Sequence, residues 1–313
     1  MTLIIRSAQP DDYPAIASIH NGQNEPDFHA SPDRMRDGDE RSAERDPAYR
    51  RYVAEQDGDV IATGDLRATW AGETHPGRTW TLLCVREDHR HQGVDVRVLH
   101  HALQEATVPV REVWTCIRED FVPAAGFLEP EGFLEQFRSW GAHLDLGTFD
   151  PARFEPLARK LDRDGVRLVG YHDLAGDPDR HQRLVDLQRE VEEDVLAFEP
   201  VIPRRHDDVT SPDTLLDATA VAVAPDGRYV GLASLVGKAA GKHLGCGFTG
   251  VARPYRNRGI ATALLARVAQ VATGMGCVDL SAGGGGVDTP ILRVSRRLGF
   301  DIEPAWITFA RRH

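Results

Sequence analysis

The sequence is poor in lysine and cysteine and has no long apolar run. It contains three lysines among its 37 basic residues, a bias compatible with a GC-rich bacterial genome. Its four cysteines are far apart, so they predict neither a zinc knuckle nor a small disulfide framework and favour reduced thiols in the cytoplasm. No apolar run approaches the ~20 residues of a membrane span, so we expect no membrane partner.

The charge of the chain excludes other classes of partner. The net charge is −11, whereas nucleic-acid binding needs a basic face, so we expect no nucleic acid. An acidic chain attracts cations, and this favours an amine substrate. The histidines show no metal-ligand spacing such as HExxH, so we predict no metal site. The N-terminal MTLIIRSAQPDD lacks the basic stretch and apolar core of a secretory signal, which also favours the cytoplasm.

A long-period repeat predicts a duplicated domain. VREDHRHQGVDVRVLHHALQEA (85–106) aligns without gaps with VARPYRNRGIATALLARVAQVA (251–272) at an offset of 166 residues. Strand-like runs stand before and after each copy, whereas solenoid repeats have periods of roughly 20–50 residues. We therefore predict two domains of the α/β (α+β) class, 1–150 and 151–313. The polar segment 26–47 predicts a mobile loop or a short helix.

The second copy concentrates positive charge before a helix. Arg253, Arg256 and Arg258 lie within six residues, and Gly259 precedes a run with the apolar periodicity of a buried helix. A helix N-terminus presents unpaired N–H groups and a partial positive charge, so glycine and arginine there form a cradle for a phosphate group. The alternative is that Arg256 and Arg258 are solvated loop residues.

These residues also resemble a known family. Arg256-x-x-Gly259-x-Ala261 is similar to the (Arg/Gln)-x-x-Gly-x-(Gly/Ala) motif of the GNAT acetyltransferase superfamily, and Leu298-Gly299-Phe300 resembles the end of its closing helix. The duplicated layout resembles tandem GNAT proteins, a group that includes mycothiol synthases. The resemblance implies two tandem GNAT domains, each a mixed, mostly antiparallel twisted sheet flanked by helices.

The resemblance implies acetyl-CoA as co-substrate and direct transfer of the acetyl group to a small-molecule amine. The pyrophosphate would bind at the helix N-terminus, the pantetheine would pair with a strand edge in a gap between two parallel strands, and an acidic residue would replace a family asparagine. The implied acetyl-CoA contacts are Thr249, Gly250, Val251, Arg256, Asn257, Arg258, Gly259, Ile260, Ala261, Thr262 and Asp288.

The first domain departs from this pattern. Its motif reads Arg90-x-x-Gly93-x-Asp95, with a carboxylate in place of the small residue. A carboxylate about 4 Å from a phosphate charge costs roughly 4 kcal/mol at intermediate dielectric. We therefore expect the first domain to be a catalytically silent structural partner.

The catalytic groups are less clearly marked. Ser295 occupies the position where the family often has the tyrosine that protonates the leaving thiolate, and His243 is the titratable group nearest to the cradle strand. Glu192, Glu193 and Asp194 end a helix that, by the resemblance, borders the acceptor site, where they would bind a cation; the alternative is a solvated acidic face. The alternative functions are a non-catalytic acyl-CoA sensor or scaffold and a mycothiol-synthase-like enzyme. We expect a monomer or a homodimer.

Overall fold

The computed structural model describes residues 2–24, 29–46, 48–68, 76–120, 126, 128–193, 209–237, 241–286 and 289–313. The chain divides into two units, Met1–Phe137 with Trp306–His313, and Arg138–Ala305. The division falls before the predicted 150/151 boundary because one long strand, β7 (Leu134–Asp145), runs through it and pairs with a strand of the second unit from Ser139 onward. The last strand, β14 (Trp306–Arg312), pairs with a strand of the first unit.

The first unit is a mixed sheet with three described helices. Its further strands are β1 (Leu3–Ser7), β2 (Arg50–Gln56), β3 (Asp59–Ala68), β4 (Arg78–Trp80), β5 (Leu83–Val85) and β6 (Glu112–Arg118). The helices are α1 (Tyr13–Asn21), α2 (Pro32–Arg45) and α3 (Val94–Gln104). Strands β1, β2 and β3 are antiparallel neighbours, and β3 pairs with both β4 and β5. Strand β6 runs parallel to β4 and antiparallel to β14.

The second unit repeats this arrangement with a larger core. Its further strands are β8 (Arg167–Gly170), β9 (Ala220–Val223), β10 (Tyr229–Val236), β11 (His243–Val251), β12 (Asp279–Gly285) and β13 (Asp301–Ile302). The helices are α4 (Glu155–Arg163), α5 (Arg180–Glu193), α6 (Ile260–Gly274) and α7 (Pro290–Leu298). The sheet order is β8-β9-β10-β11-β12-β7-β13, in which only β11 and β12 are parallel. The predicted fold class, mostly antiparallel sheets flanked by helices, is confirmed.

The segment predicted as a loop or short helix contains the 14-residue helix α2. Ser31 caps it, since its hydroxyl accepts a hydrogen bond from the Arg34 N–H at 3.2 Å. The helix has almost no apolar face and is held through a buried charge instead. Asp39 pairs with Arg51 of β2 at 2.5 Å and accepts a hydrogen bond from the Tyr13 hydroxyl at 2.9 Å. This anchoring depends on tertiary contacts that the local sequence pattern does not show.

Candidate functional site

The arginine-rich stretch forms a tight turn between β11 and α6. Strand β11 ends at Val251, a 3₁₀ turn covers Arg253–Tyr255, and α6 begins at Ile260. Two residues in between have left-handed backbone conformations, Asn257 with φ 62° and Gly259 with φ 88°. The architecture is therefore the predicted one, a strand followed by a short loop and a buried helix.

Gly259 is required by conformation and by space. Its φ of 88° disfavours residues with a side chain, and a Cβ atom there would lie 2.8 Å from Leu157 Cδ1 of α4. No side chain caps the helix at this residue. The first intrahelical hydrogen bond runs from the Ala263 N–H to the Gly259 carbonyl at 3.0 Å. The preceding N–H groups of α6 are those that an α-helix leaves without intrahelical acceptors, so this end suits an anion.

The arginines of the turn stabilise it in different ways. Arg256 Nε donates a hydrogen bond to the Val251 carbonyl at 2.9 Å, which ties the loop to the end of β11. Arg258 is exposed; it lies over the Tyr255 ring at 5.1 Å and donates to the Pro254 carbonyl at 3.1 Å. Arg256 is therefore a half-buried structural brace rather than a solvated loop residue.

A gap opens between the parallel strands beside this turn. The pairing of β11 with β12 in the described chain ends at Gly245 and Ser281, whereas β12 remains paired with β7 as far as Gly285. The Ala252 N–H donates to the Val230 carbonyl of β10 at 2.9 Å. By strand alternation, the Thr249 and Val251 backbone groups point away from β10 and into the gap.

Two buried polar atoms flank the gap without a partner. Thr249 Oγ1 on β11 and Trp140 Nε1 on β7 have no hydrogen-bond partner among the residues that the structure describes. Trp140 is 4% exposed, and its ring covers Gly284 of β12, where a Cβ atom would lie 3.2 Å from Nε1. Buried polar groups are normally paired, so these two atoms fit a polar ligand in the gap. The sequence analysis missed Trp140, because nothing in the local pattern relates it to β12.

Helix α5 reaches the same part of β11. A Cβ atom on Gly250 would lie 2.7 Å from Val191 Cγ1, so the last turn of α5 packs directly on this strand. Glu192 is half-buried and accepts a hydrogen bond from Gln188 Nε2 at 2.7 Å, whereas Glu193 is exposed. The predicted residues Asp194 and Asp288 lie outside the described residues.

The two predicted catalytic side chains lie in different places. His243 begins β11, eight residues before Val251, which is roughly 26 Å of extended strand. There it is exposed and pairs with Asp279 at 2.8 Å. This position does not favour proton transfer at the gap. Ser295 is 1% exposed, on the buried side of α7 with Leu292 and Leu298, so it is not a surface hydroxyl.

The cysteines are free, and burial raises the pKa of each thiol. The pKa of Cys246, on β11 beside the gap, rises to about 12 because the thiol is desolvated. A thiol with such a pKa is protonated at neutral pH and is a poor nucleophile.

The corresponding turn of the first unit has the same backbone but different contacts. Gly93 begins α3 with φ 71°, and the next residue but one, Asp95, accepts a hydrogen bond from the Val96 N–H at 2.9 Å. Burial raises the pKa of the Asp95 carboxyl, although this hydrogen bond opposes the shift. Gln23 Oε1 accepts a hydrogen bond from the Val85 N–H at 2.7 Å, and its Nε2 donates to the Leu83 carbonyl at 3.4 Å. The sequence analysis identified Asp95 but not Gln23.

Two further searches were restricted to the described residues. There, no group of three or more histidine, cysteine, aspartate or glutamate residues is placed to hold a metal ion. None of the helices in that part of the chain is both long enough and apolar enough to span a bilayer.

Comparison with known proteins identifies the family. The model of the acetyltransferase (GNAT) family matches residues 13–133 and 181–300, which together exceed half of the chain. The chain therefore belongs to the GNAT acetyltransferase family and has two GNAT domains in tandem. Among curated proteins, no sequence matches.

Solved structures support the tandem fold. A GCN5-related N-acetyltransferase from Sphaerobacter thermophilus is 20% identical, with a TM-score of 0.66 over 99% of this chain and 95% of that chain. A tandem GNAT protein from the clavulanic acid biosynthesis pathway is 17% identical, with a TM-score of 0.59 over 99% and 98%. A glucosamine N-acetyltransferase region of a fungal multi-domain β-N-acetylglucosaminidase is 14% identical, with a TM-score of 0.69 over 99% of this chain but 38% of that chain.

Proposed function

We propose that the protein is an acetyl-CoA-dependent N-acetyltransferase whose second unit transfers the acetyl group to a small amine. The observation that carries this proposal is the combination of an uncapped helix N-terminus with an open strand edge at the same end of β11. A helix N-terminus suits a pyrophosphate, and a free strand edge suits an extended chain with amide groups. The unpartnered Thr249 and Trp140 atoms beside the gap fit the same ligand.

The residues of the turn would hold acetyl-CoA at two points. The N–H groups of Ile260, Ala261 and Thr262 would bind the pyrophosphate, with Arg256 keeping the loop in place and Arg258 adding charge. Thr249 and Val251 would pair with the pantetheine amides. When bound, acetyl-CoA supplies a thioester whose acetyl group can pass to an amine. The protonated state of the Cys246 thiol favours direct attack by the amine over an acyl-cysteine route.

Ser295 is retained in the proposal as the group that steadies the leaving thiolate. Its hydroxyl can donate a hydrogen bond but is a weak acid, so its contribution is modest. Ser295→Ala should lower kcat by about tenfold, the order of one hydrogen bond to a charged group, with little change in acetyl-CoA affinity. An unaltered kcat across the pH range would assign protonation of the thiolate to water.

Detection of free CoA tests the function. The protein is incubated with acetyl-CoA and a panel of amines, including amino sugars, and released CoA is detected with a thiol reagent. Release that requires an amine is the expected result. Calorimetric binding of acetyl-CoA without release in the presence of any amine would instead support the acyl-CoA sensor or scaffold. The mycothiol-synthase-like reaction remains an expectation from the sequence alone.

A further inference from the structure

A histidine–carboxylate pair lies beside the gap of the second unit. His143 Nε2 on β7 is 2.7 Å from Glu303 Oε1, and their side chains are 45% and 22% exposed. The Glu303 N–H donates to the Gly141 carbonyl at 3.0 Å. A Cβ atom on Gly141 would lie 2.5 Å from Glu303 Oε2, so this glycine makes room for the carboxylate against the strand.

The strand register places the pair level with the open part of the sheet. His143 is opposite Ser281, the residue of β12 at which pairing with β11 ends, and Gly141 is opposite Gly283, where β12 borders the gap. Glu303 therefore lies one strand away from the gap, at the level where β11 has its irregularity between Cys246 and Thr249. Neighbouring strands are about 4.8 Å apart, so the pair is within reach of a molecule that enters the gap.

The pair also lies on the face of the sheet opposite α6. A Cβ on Gly231 would contact Ile260 and Leu264 of α6, whereas the neighbouring position on β10 pairs with Gly250, which faces Val191 of α5. Continuing this alternation through β10, β11 and β12 puts His143 and Gly141 on the α5 face. A pyrophosphate at the N-terminus of α6 occupies one side of the gap, so an amine must approach from the other side, where this pair lies.

We propose that His143 accepts the proton of the incoming ammonium group and that Glu303 is the residue that positions it, an inference that rests on the proposed function. An alkyl ammonium of pKa about 10 is almost entirely protonated at neutral pH, so the reaction needs a proton acceptor. Glu303 accepts the Nε2–H hydrogen bond, which leaves Nδ1 of the neutral imidazole as the basic nitrogen, and the carboxylate stabilises the imidazolium that forms.

The protons and bonds of this step balance. The ammonium group gives one proton to His143, which later passes it to solvent. The amine nitrogen then bonds to the thioester carbon and the carbon–sulfur bond breaks. The second nitrogen proton ends on the thiolate, so the products are an N-acetyl amine and free CoA.

Other titratable groups share this face and bear on its pH dependence. In the described chain they are Asp145 on β7, Asp279 and His243 as a pair across β12 and β11, Asp301 on β13, and Glu192 and Glu193 at the end of α5. The His243–Asp279 pair has the same chemistry and a similar length, 2.8 Å, but belongs to the paired end of the strands, farther from the gap. It provides a matched control.

The test measures kcat, KM and acetyl-CoA affinity of the full chain as a function of pH, with an amine that the parent protein acetylates. His143→Gln should lower kcat about 100-fold at pH 7, the usual contribution of a general base, and the deficit should shrink as the pH approaches the pKa of the amine. Glu303→Gln and Gly141→Ala should each lower kcat about tenfold, the second without removing any ionisable group. Acetyl-CoA affinity should stay within about twofold. Asp279→Asn should behave like the parent.

Two results separate the possible failures. A His143→Gln variant that keeps the parent's kcat and pH profile overturns the role of this pair and leaves the proposed function standing. A parent protein that binds acetyl-CoA but acetylates no amine overturns the proposed function and, with it, the reaction that the pair would serve. An equal loss in Asp279→Asn also overturns the proposal, since it would reduce the effect to general electrostatics of this face.

Discussion

The turns before α3 and α6 have nearly identical backbones but different chemical surroundings. His91 and Asn257 have φ 63° and 62°, and Gly93 and Gly259 have φ 71° and 88°. Each turn is also tied to its preceding strand by an arginine, since Arg90 Nε donates to the Val85 carbonyl at 3.2 Å and Arg256 Nε to the Val251 carbonyl at 2.9 Å. Every one of these pairs is separated by 166 residues, so the weak sequence repeat marks an exact repeat of backbone geometry.

The differences lie in what occupies the hydrogen-bonding groups. In the first unit Asp95 accepts from the helix N-terminus, and Gln23 bonds to both free groups of the strand edge. In the second unit Ala261 follows the glycine, and Val191, which cannot form such bonds, packs on β11. The first unit thus satisfies with its own side chains the groups that the second unit leaves for a ligand. A conserved backbone turn is therefore insufficient to identify a phosphate site; its donors must also be free.

The largest effect is expected from a valine at the glycine of each turn. Gly259→Val should abolish detectable acetyl-CoA binding, because a side chain there meets Leu157 and a left-handed conformation that valine rarely adopts. Gly93→Val has the same backbone cost, but nothing lies within 4 Å of its Cβ position, and it should leave binding unchanged. Calorimetric titration measures both variants, after thermal unfolding shows that each is folded. Equal losses would place the binding site outside the second turn.

The next effect is expected from moving the carboxylate of the first unit into the second. Ala261→Asp should weaken acetyl-CoA binding at least about 100-fold, because like charges about 4 Å apart cost roughly 4 kcal/mol at intermediate dielectric. Ala261→Asn is the matched control and should lose much less. If the two variants bind alike, repulsion is not what separates the two units.

A smaller effect is expected from the arginine braces. Arg256→Ala should weaken acetyl-CoA binding by about 10- to 100-fold, the order expected for a lost hydrogen bond that involves a charged group. Arg90→Ala removes the same brace from the first unit and should change affinity less than twofold. The comparison is made by titration at fixed salt, because exposed charges such as Arg258 also contribute in a salt-dependent way. A large loss in Arg90→Ala would put the cofactor in the wrong unit.

Much of the fold could be predicted because the relevant signals are local. The offset of 166 residues, the periodicity of α6 and the glycine before it determine the strand–turn–helix arrangement in both units. The path of β7 could not be predicted, since a continuous strand carries no mark of the point at which its pairing partners change. Helix α2 was missed for a related reason, because the ion pair of Asp39 with Arg51 joins residues on different elements.

The candidate site was predictable in part for the same reason. The turn residues 256–262 are adjacent in sequence and lie together. Trp140, His143 and Glu303 are far from that turn in sequence, and only the register of β7 with β12 brings them to the gap. Conversely, His243 is close in sequence but is carried away by the length of β11. Sequence proximity identifies the phosphate cradle well and the groups around the acceptor poorly.

The smallest effect is expected from opening the first unit. Parent protein should bind one acetyl-CoA per chain, because Asp95 and Gln23 occupy the groups that a second molecule would need. The double variant Gln23→Ala/Asp95→Ala frees the Val85 N–H, the Leu83 carbonyl and the Val96 N–H together, so a weak second site should appear in calorimetric titration, with an affinity at least tenfold below that of the first. Neither single variant should show it, because each leaves one half of the ligand opposed. Adding Arg90→Ala to the double variant should remove the new site while leaving the first one intact. Two sites of similar affinity in the parent, or none gained in the double variant, would mean that these two side chains are not what keeps the first unit closed.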